Sequence, residues 1–152
     1  MHYKRHMECK LTVSVVEEIV EGDIGDDWEY SVTATVIDAK GRSIESGRIR
    51  VPEHLLKPGA AQPPPQAAGV KVRAGACGTS AKVELRVDVN EVDWLVDDPG
   101  SRTVLVPIDS PAQGKPPFTK EVEISIPVRE RPKVLGGEAT FKLKLRLLAI
   151  CL

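Results

Sequence analysis

Alternation of apolar and polar residues dominates the chain. Leu11, Val13 and Val15 are interleaved with Thr12 and Ser14, and Tyr30, Val32, Ala34 and Val36 with Ser31, Thr33 and Thr35. Val83, Leu85, Val87 and Val89 alternate with Glu84, Arg86, Asp88 and Asn90. The same period returns at Val122, Ile124, Ile126 and Val128. It returns again at Phe141, Leu143, Leu145 and Leu147, spaced by Lys142, Lys144 and Arg146. Side chains two apart share one face of a strand, so each run predicts a strand with one buried and one wet face. No window of comparable length carries a helical stripe. Strands are expected at 8–20, 28–38, 44–51, 70–75, 82–92, 102–108, 119–129 and 138–150.

Turn-forming clusters separate these runs: "DAKGRS", "GACGTS", "DDPGS", "DSPAQGKPP" and "LGGE". Eight one-sided strands call for two sheets packed face to face, because a single open sheet would leave its apolar side in water. The fold class expected is therefore all-β, an eight-stranded antiparallel β-sandwich. Residues 1–7 read as a disordered N-terminus or the remnant of a cloning junction, and 8–152 as a single domain. Its one low-complexity segment is a Pro/Ala/Gly-rich loop at 52–69, where Pro63, Pro64 and Pro65 would form a short extended rod. The pairs 8–20/28–38 and 82–92/102–108 weakly echo one another: alternating strand, acidic loop, alternating strand.

Composition narrows the picture. A chain of 152 residues can bury one substantial core. Lys and Arg number 21 against 22 Asp and Glu, a balance that argues against a nucleic-acid binder. No apolar run reaches the roughly 18 residues of a spanning helix, and the first residues lack the apolar stretch of a signal peptide. Cys9, Cys77 and Cys151 are widely spaced and odd in number, which fits buried thiols in a reducing, cytoplasmic setting better than a disulfide framework. An enzyme is not expected: no Ser/His/Asp grouping, phosphate-binding glycine loop or zinc spacing is present, and Cys77 has no base to activate it.

Charge placement is more informative than net charge. If successive strands run in opposite directions, every odd connection emerges at one end. That end receives Asp23, Asp26 and Asp27 from one connection and Glu91, Asp93, Asp97 and Asp98 from another. The opposite end receives mixed charge, Asp38 with Lys40 and Arg42, and Asp109 with Lys115. Clustered carboxylates destabilise one another unless a cation or solvent relieves them. Calcium is the cation that accepts about six to eight oxygens in irregular geometry, whereas zinc would want Cys or His.

The stretch "VELRVDVNEVDWLVDDPGSRTVLVPI" resembles the third calcium loop of C2 domains. Glu91-Val92-Asp93 stands where the acidic pair would be, and Asp97-Asp98-Pro99-Gly100 supplies a later acid and a turn. "VEEIVEGDIGDDWEYSVTATV" is similar to the first calcium loop, with Asp23 and Asp26 or Asp27 ahead of Trp28 and the following strand. The resemblance implies a C2-like sandwich holding calcium through Asp23, Asp27, Glu91, Asp93, Asp97 and Asp98. It also implies docking on anionic phospholipid or a protein partner. Three departures stand out: Glu91 replaces the family's Asp, the spacing to Asp97 is shorter than the family pattern, and the 52–69 connection is longer than usual. If the strands at 44–51 and 70–75 pair, Arg48, Arg50, Lys71 and Arg73 form a basic patch suited to a lipid headgroup; otherwise they are a solvated sheet face. Trp94, inside the acidic loop, would either enter a membrane or pack back over the sandwich. The expectation is a non-enzymatic binding module, with calcium as the cofactor. The alternative is a metal-free structural or adaptor domain acting by protein–protein interaction.

Overall fold

The computed structural model describes residues 7–22, 25, 27–92, 97–129 and 137–152. Eight strands are present: β1 (Glu8–Gly22), β2 (Asp27–Asp38), β3 (Ser43–Leu55), β4 (Gly69–Ala76), β5 (Ser80–Glu91), β6 (Asp98–Asp109), β7 (Phe118–Arg129) and β8 (Glu138–Cys151). They form two four-stranded antiparallel sheets, one ordered β4-β1-β8-β7 and the other β3-β2-β5-β6. The all-β sandwich is thus the observed fold. Among the described residues no helix is long and apolar enough to cross a membrane.

Two expected boundaries move. The "DDPGS" stretch is not a turn: β6 starts at Asp98 and pairs Asp98 with Glu91, Pro99 with Asn90 and Gly100 with Val89. Pro99 is tolerated because β6 is an edge strand and needs no second set of ladder bonds. β3 runs on to Leu55, so the proline-rich connection is 56–68 rather than 52–69. The weak sequence echo has no structural counterpart. β5 and β6 form a hairpin within one sheet, whereas β1 and β2 lie in different sheets.

The inner faces are built from the alternating residues. Val32, Ala34 and Val36 of β2 and Val83, Leu85 and Val87 of β5 face Leu11, Val13, Leu143, Leu145 and Leu147 from the other sheet, all buried. Three aromatics concentrate at one end of this core. Trp28 stacks on Phe141 with centroids 5.7 Å apart, and Tyr30 tilts against the same ring at 5.2 Å. Both open sides of the sandwich close on a glycine. A Cβ on Gly47 of β3 would lie 2.6 Å from Val70 and 2.9 Å from Val72 of β4; one on Gly100 would lie 2.9 Å from Ile126 and Val128 of β7. Each glycine lets an edge of one sheet approach the other more closely than any side chain would permit.

The outer face of β8 is neutralised from both flanks. Arg146 pairs with Glu121 of β7 at 3.0 Å, as the β7–β8 register predicts, while Lys144 and Lys142 turn to Glu17 (3.4 Å) and Glu21 (3.1 Å) of β1. Exposed pairs of this kind contribute little stability.

The ladder registers fix two poles. Gly22 lies opposite Ala139, Glu138 opposite Arg129, Asp27 opposite Leu55, and Glu91 opposite both Trp28 and Asp98. The β1–β2, β3–β4, β5–β6 and β7–β8 connections therefore all leave from one pole. The other three connections and the outer ends of β1 and β8 lie at the opposite pole.

Candidate functional site

At the first pole the bases of the two acidic connections are joined directly. The Val92 N–H donates to the Asp27 carbonyl at 2.8 Å, extending the β2–β5 ladder past the last residues of the strands. Gly25, with φ +35°, packs so closely on the Glu91 carboxylate that a Cβ there would collide with it. Of the expected calcium ligands, Asp27, Glu91, Asp97 and Asp98 lie among the described residues; Asp23, Asp93 and the loop residue Trp94 lie outside them. Their orientations differ. Asp97 is exposed, but Glu91 and Asp98 sit opposite each other on the inner face and are buried. Asp98 turns inward because the expected turn is strand, which assigns alternate residues to the core side. Among the described residues no three His, Cys, Asp or Glu side chains converge closely enough to hold a metal ion.

Beneath this rim lies a polar cluster that strand periodicity conceals. β1 carries a bulge, with register shifting between Val15 and Glu17, and the bulge moves its inward face from odd to even positions. Glu18 consequently enters the core and is wholly buried. It meets His54, which β3 places inward opposite Trp28: Nε2 lies 2.8 and 3.0 Å from the two Glu18 oxygens. The other ring nitrogen, Nδ1, is 2.7 Å from the Pro52 carbonyl, an acceptor only, so Nδ1 carries a hydrogen. One further proton must then lie between Nε2 and the Glu18 carboxyl, since two lone pairs cannot bond to each other. Burial first, then the neighbouring Glu18, raises the Tyr30 phenol far above its ordinary pKa and keeps it protonated. The β1 backbone beside the pair also ties down the proline-rich connection. Glu18 and Gln62 exchange backbone hydrogen bonds at 2.8 and 2.9 Å, and Gly59 N–H donates to the Val20 carbonyl at 2.7 Å. The visible signal was the break in alternation at Val15-Val16-Glu17-Glu18.

The basic patch expected from β3 and β4 does not form. The two strands belong to different sheets and share no ladder. Lys71 and Arg73 lie on the outer face of the β1 sheet, where Arg73 is flanked by Glu45 at 3.7 Å and Glu8 at 4.0 Å. Arg48 and Arg50 instead border a trough of about 840 Å³ on the outer face of the β2 sheet. Its centre is the cross-strand row Arg50–Ser31–Asp88–Ser101, where two serines leave space that larger side chains would fill.

Its acidic groups are engaged. Asp88 accepts from Arg86 Nε at 3.2 Å, and Glu29 accepts from Asn90 Nδ2 at 3.2 Å. Burial opposes the charge on Asp88, but hydrogen bonds from Arg86 and Ser101 outweigh it, and its pKa is lowered. Arg48 Nε donates to Thr33 at 3.2 Å, and Arg50 makes no ion pair among the described residues. Arg48 and Arg50 thus leave guanidinium donors at the border of the trough.

The second pole corrects the cysteine reading. Cys77, in the β4–β5 turn, is joined to Cys151, near the end of β8, with the two Cα atoms 5.5 Å apart. Only Cys9 is a thiol, and it is buried. Spacing along the chain could not reveal this bond, because 74 residues separate its partners and the sandwich alone brings them together. No protein-family model matches the chain, and a search of curated proteins finds no match.

Proposed function

We propose that the chain is a non-enzymatic, C2-like binding module whose acidic pole takes calcium and, so loaded, docks on a partner surface. The observation that carries this reading is the Val92–Asp27 hydrogen bond, which joins the bases of both acidic connections. Calcium suits the site because carboxylates from irregular connections can meet its variable coordination. Exposed Asp97 and the rim residue Asp27 would join Asp23 and Asp93 as the outer ligands. Glu91 and Asp98 would approach the ion from the core side.

The disulfide favours an oxidising compartment over the cytoplasmic one expected from the cysteine count. Extracellular calcium modules work at roughly 10⁻⁴–10⁻³ M, which sets the concentration range for the test. Thermal unfolding in millimolar calcium is compared with unfolding in chelator. Saturation at 100 times the dissociation constant adds about 2.7 kcal/mol, and Asp97→Asn reduces the gain. Identical melts in calcium and chelator would sink the calcium reading. Co-sedimentation with phosphatidylserine vesicles then separates a lipid surface from a protein partner.

The trough favours a second, metal-free reading as a protein adaptor. With its acids engaged and Arg48 and Arg50 retaining free donors, it suits an acidic segment of a partner chain. Binding of a poly-glutamate peptide that is unaffected by chelator, and lost in Arg48→Ala/Arg50→Ala, supports this reading. Equal binding by that variant refutes it.

A further inference from the structure

We propose that Cys9, Cys77 and Cys151 form a thiol–disulfide exchange site, in which the buried Cys9 thiol displaces Cys77 from Cys151 and the freed Cys77 thiol takes up a low-molecular-weight disulfide. The proposal is independent of calcium binding and rests on register. All three cysteines meet at one pole. Cys9 of β1 lies directly opposite Cys151 of β8. The Leu152 N–H donates to the Glu8 carbonyl at 3.1 Å, which makes Glu8 and Leu152 a hydrogen-bonded position. Hydrogen-bonded and non-hydrogen-bonded pairs alternate along an antiparallel ladder, so Cys9 and Cys151 occupy the narrow kind, with Cα atoms roughly 4.5 Å apart and side chains on one face. That separation falls within the span a disulfide bridges, about 4.4–6.8 Å. Cys151 therefore has two sulfur partners within bonding reach, Cys77 in the turn and Cys9 in the adjoining strand.

The exchange balances without an added oxidant. The Cys9 sulfur attacks the Cys151 sulfur as its thiol proton leaves; the Cys9–Cys151 bond forms as Cys77–Cys151 breaks, and Cys77 leaves with the electron pair and takes up that proton. One disulfide and one thiol are present before and after. The freed thiol then attacks an external disulfide such as oxidised glutathione, giving a mixed disulfide on Cys77 and releasing one glutathione thiol. Location makes Cys77 the outlet. It is only half-buried, and it sits in a three-residue turn beside Gly75 and Gly78, both at positive φ. Its backbone bonds, from the Cys77 N–H to the Met7 carbonyl and from the Gly78 N–H to the Ser110 and Pro111 carbonyls, lie outside the sheet ladders. Cys9 in its place is sealed in the core and offers no thiol to solvent.

The test incubates the folded protein with oxidised glutathione, quenches with acid, and maps the bonds by peptide mass spectrometry. Glutathione on Cys77 together with a Cys9–Cys151 bridge is the expected result. Cys77→Ser supplies a second reading: on mild oxidation its two remaining cysteines close the Cys9–Cys151 bridge in folded protein. Glutathione on Cys9 with Cys77–Cys151 intact overturns the proposal. So does the absence of any adduct when urea-unfolded protein is fully modified under the same conditions. Persistence of both thiols in oxidised, folded Cys77→Ser would overturn it as well.

Discussion

At the acidic pole, the connections are held by hydrogen bonds, Val92 to Asp27, Gly59 to Val20 and Gln62 to Glu18, above a buried Glu18–His54 hydrogen bond between β1 and β3. At the other pole, the β4–β5 turn is bonded covalently to the end of β8, and backbone bonds from Cys77 to Met7 and from Gly78 to Ser110 fill in around that bridge. The first arrangement gathers charge and positions it on connections; the second removes freedom from a region where both outer strand ends would otherwise fray. An acid-rich pole and a clamped pole at opposite ends of one sandwich make different demands on the same sheets. Breaking each in turn shows which one the stability depends on.

The largest effect is expected at the clamped pole. Closing a loop of 74 residues restricts the unfolded chain by about 4 kcal/mol in the chain-entropy account. The double variant Cys77→Ser/Cys151→Ser should therefore melt on the order of 10 °C lower than the parent protein. The double change is the informative one, because Cys77→Ser alone leaves Cys9 and Cys151 free to bridge. A melt within one or two degrees of the parent would place the stability elsewhere, in the two sheets themselves.

The next effect lies at the acidic pole. His54→Leu strips the buried Glu18 of its partner and should cost about 3 kcal/mol. Restoring apolar character on both sides, as Glu18→Met/His54→Leu, should recover most of the loss, because no buried carboxyl is left without its partner. Urea unfolding of the single and double variants supplies the comparison. If the double variant is as weak as the single, the pair is holding the proline-rich connection in place through geometry, not merely balancing its own charges. Proteolysis at 56–68 would then rise in both variants alike.

These two regions differ in how far the sequence disclosed them. The eight strands could be read because period-two alternation survives wherever one face is buried, from Leu11 to Val15 as from Phe141 to Leu147. The convergence of acidic connections followed from strand direction alone. The β1 bulge left only a break in alternation at Val15-Val16-Glu17-Glu18 as its trace; one extra residue inverts which acids face inward, so Glu18 sat among apparent surface residues. The stretch Asp98-Pro99-Gly100 reads as a turn and is strand for a related reason. Pro-Gly suggests a turn, but an edge strand accommodates the proline, and the glycine is needed where β6 meets β7. The trough and the disulfide depend on rows that cross strands, Arg50–Ser31–Asp88–Ser101 in one case and Cys9 opposite Cys151 in the other. Such rows exist only after register is set.

The smallest effect contrasts a structural carboxylate at the clamped pole with the clustered acids at the other. Asp38 closes the β2–β3 turn: its Oδ1 accepts the backbone N–H groups of Lys40 and Arg42, both at 2.9 Å, and its Oδ2 accepts Arg42 Nε at 3.1 Å. The Arg42 backbone hydrogen bond, foremost among these, lowers the Asp38 pKa below its ordinary 3.8. A depressed folded-state pKa means that the charge stabilises the fold above the unfolded-state value, and that this contribution is lost as pH falls through the folded-state one. Asp38→Asn keeps an oxygen that can accept both backbone bonds and removes only the charge. Its urea midpoint should therefore fall slightly below the parent's at pH 6, and the gap should close as pH drops below the depressed Asp38 value. A gap that stays constant down to pH 2 would show that turn geometry, and not the negative charge, distinguishes the two proteins.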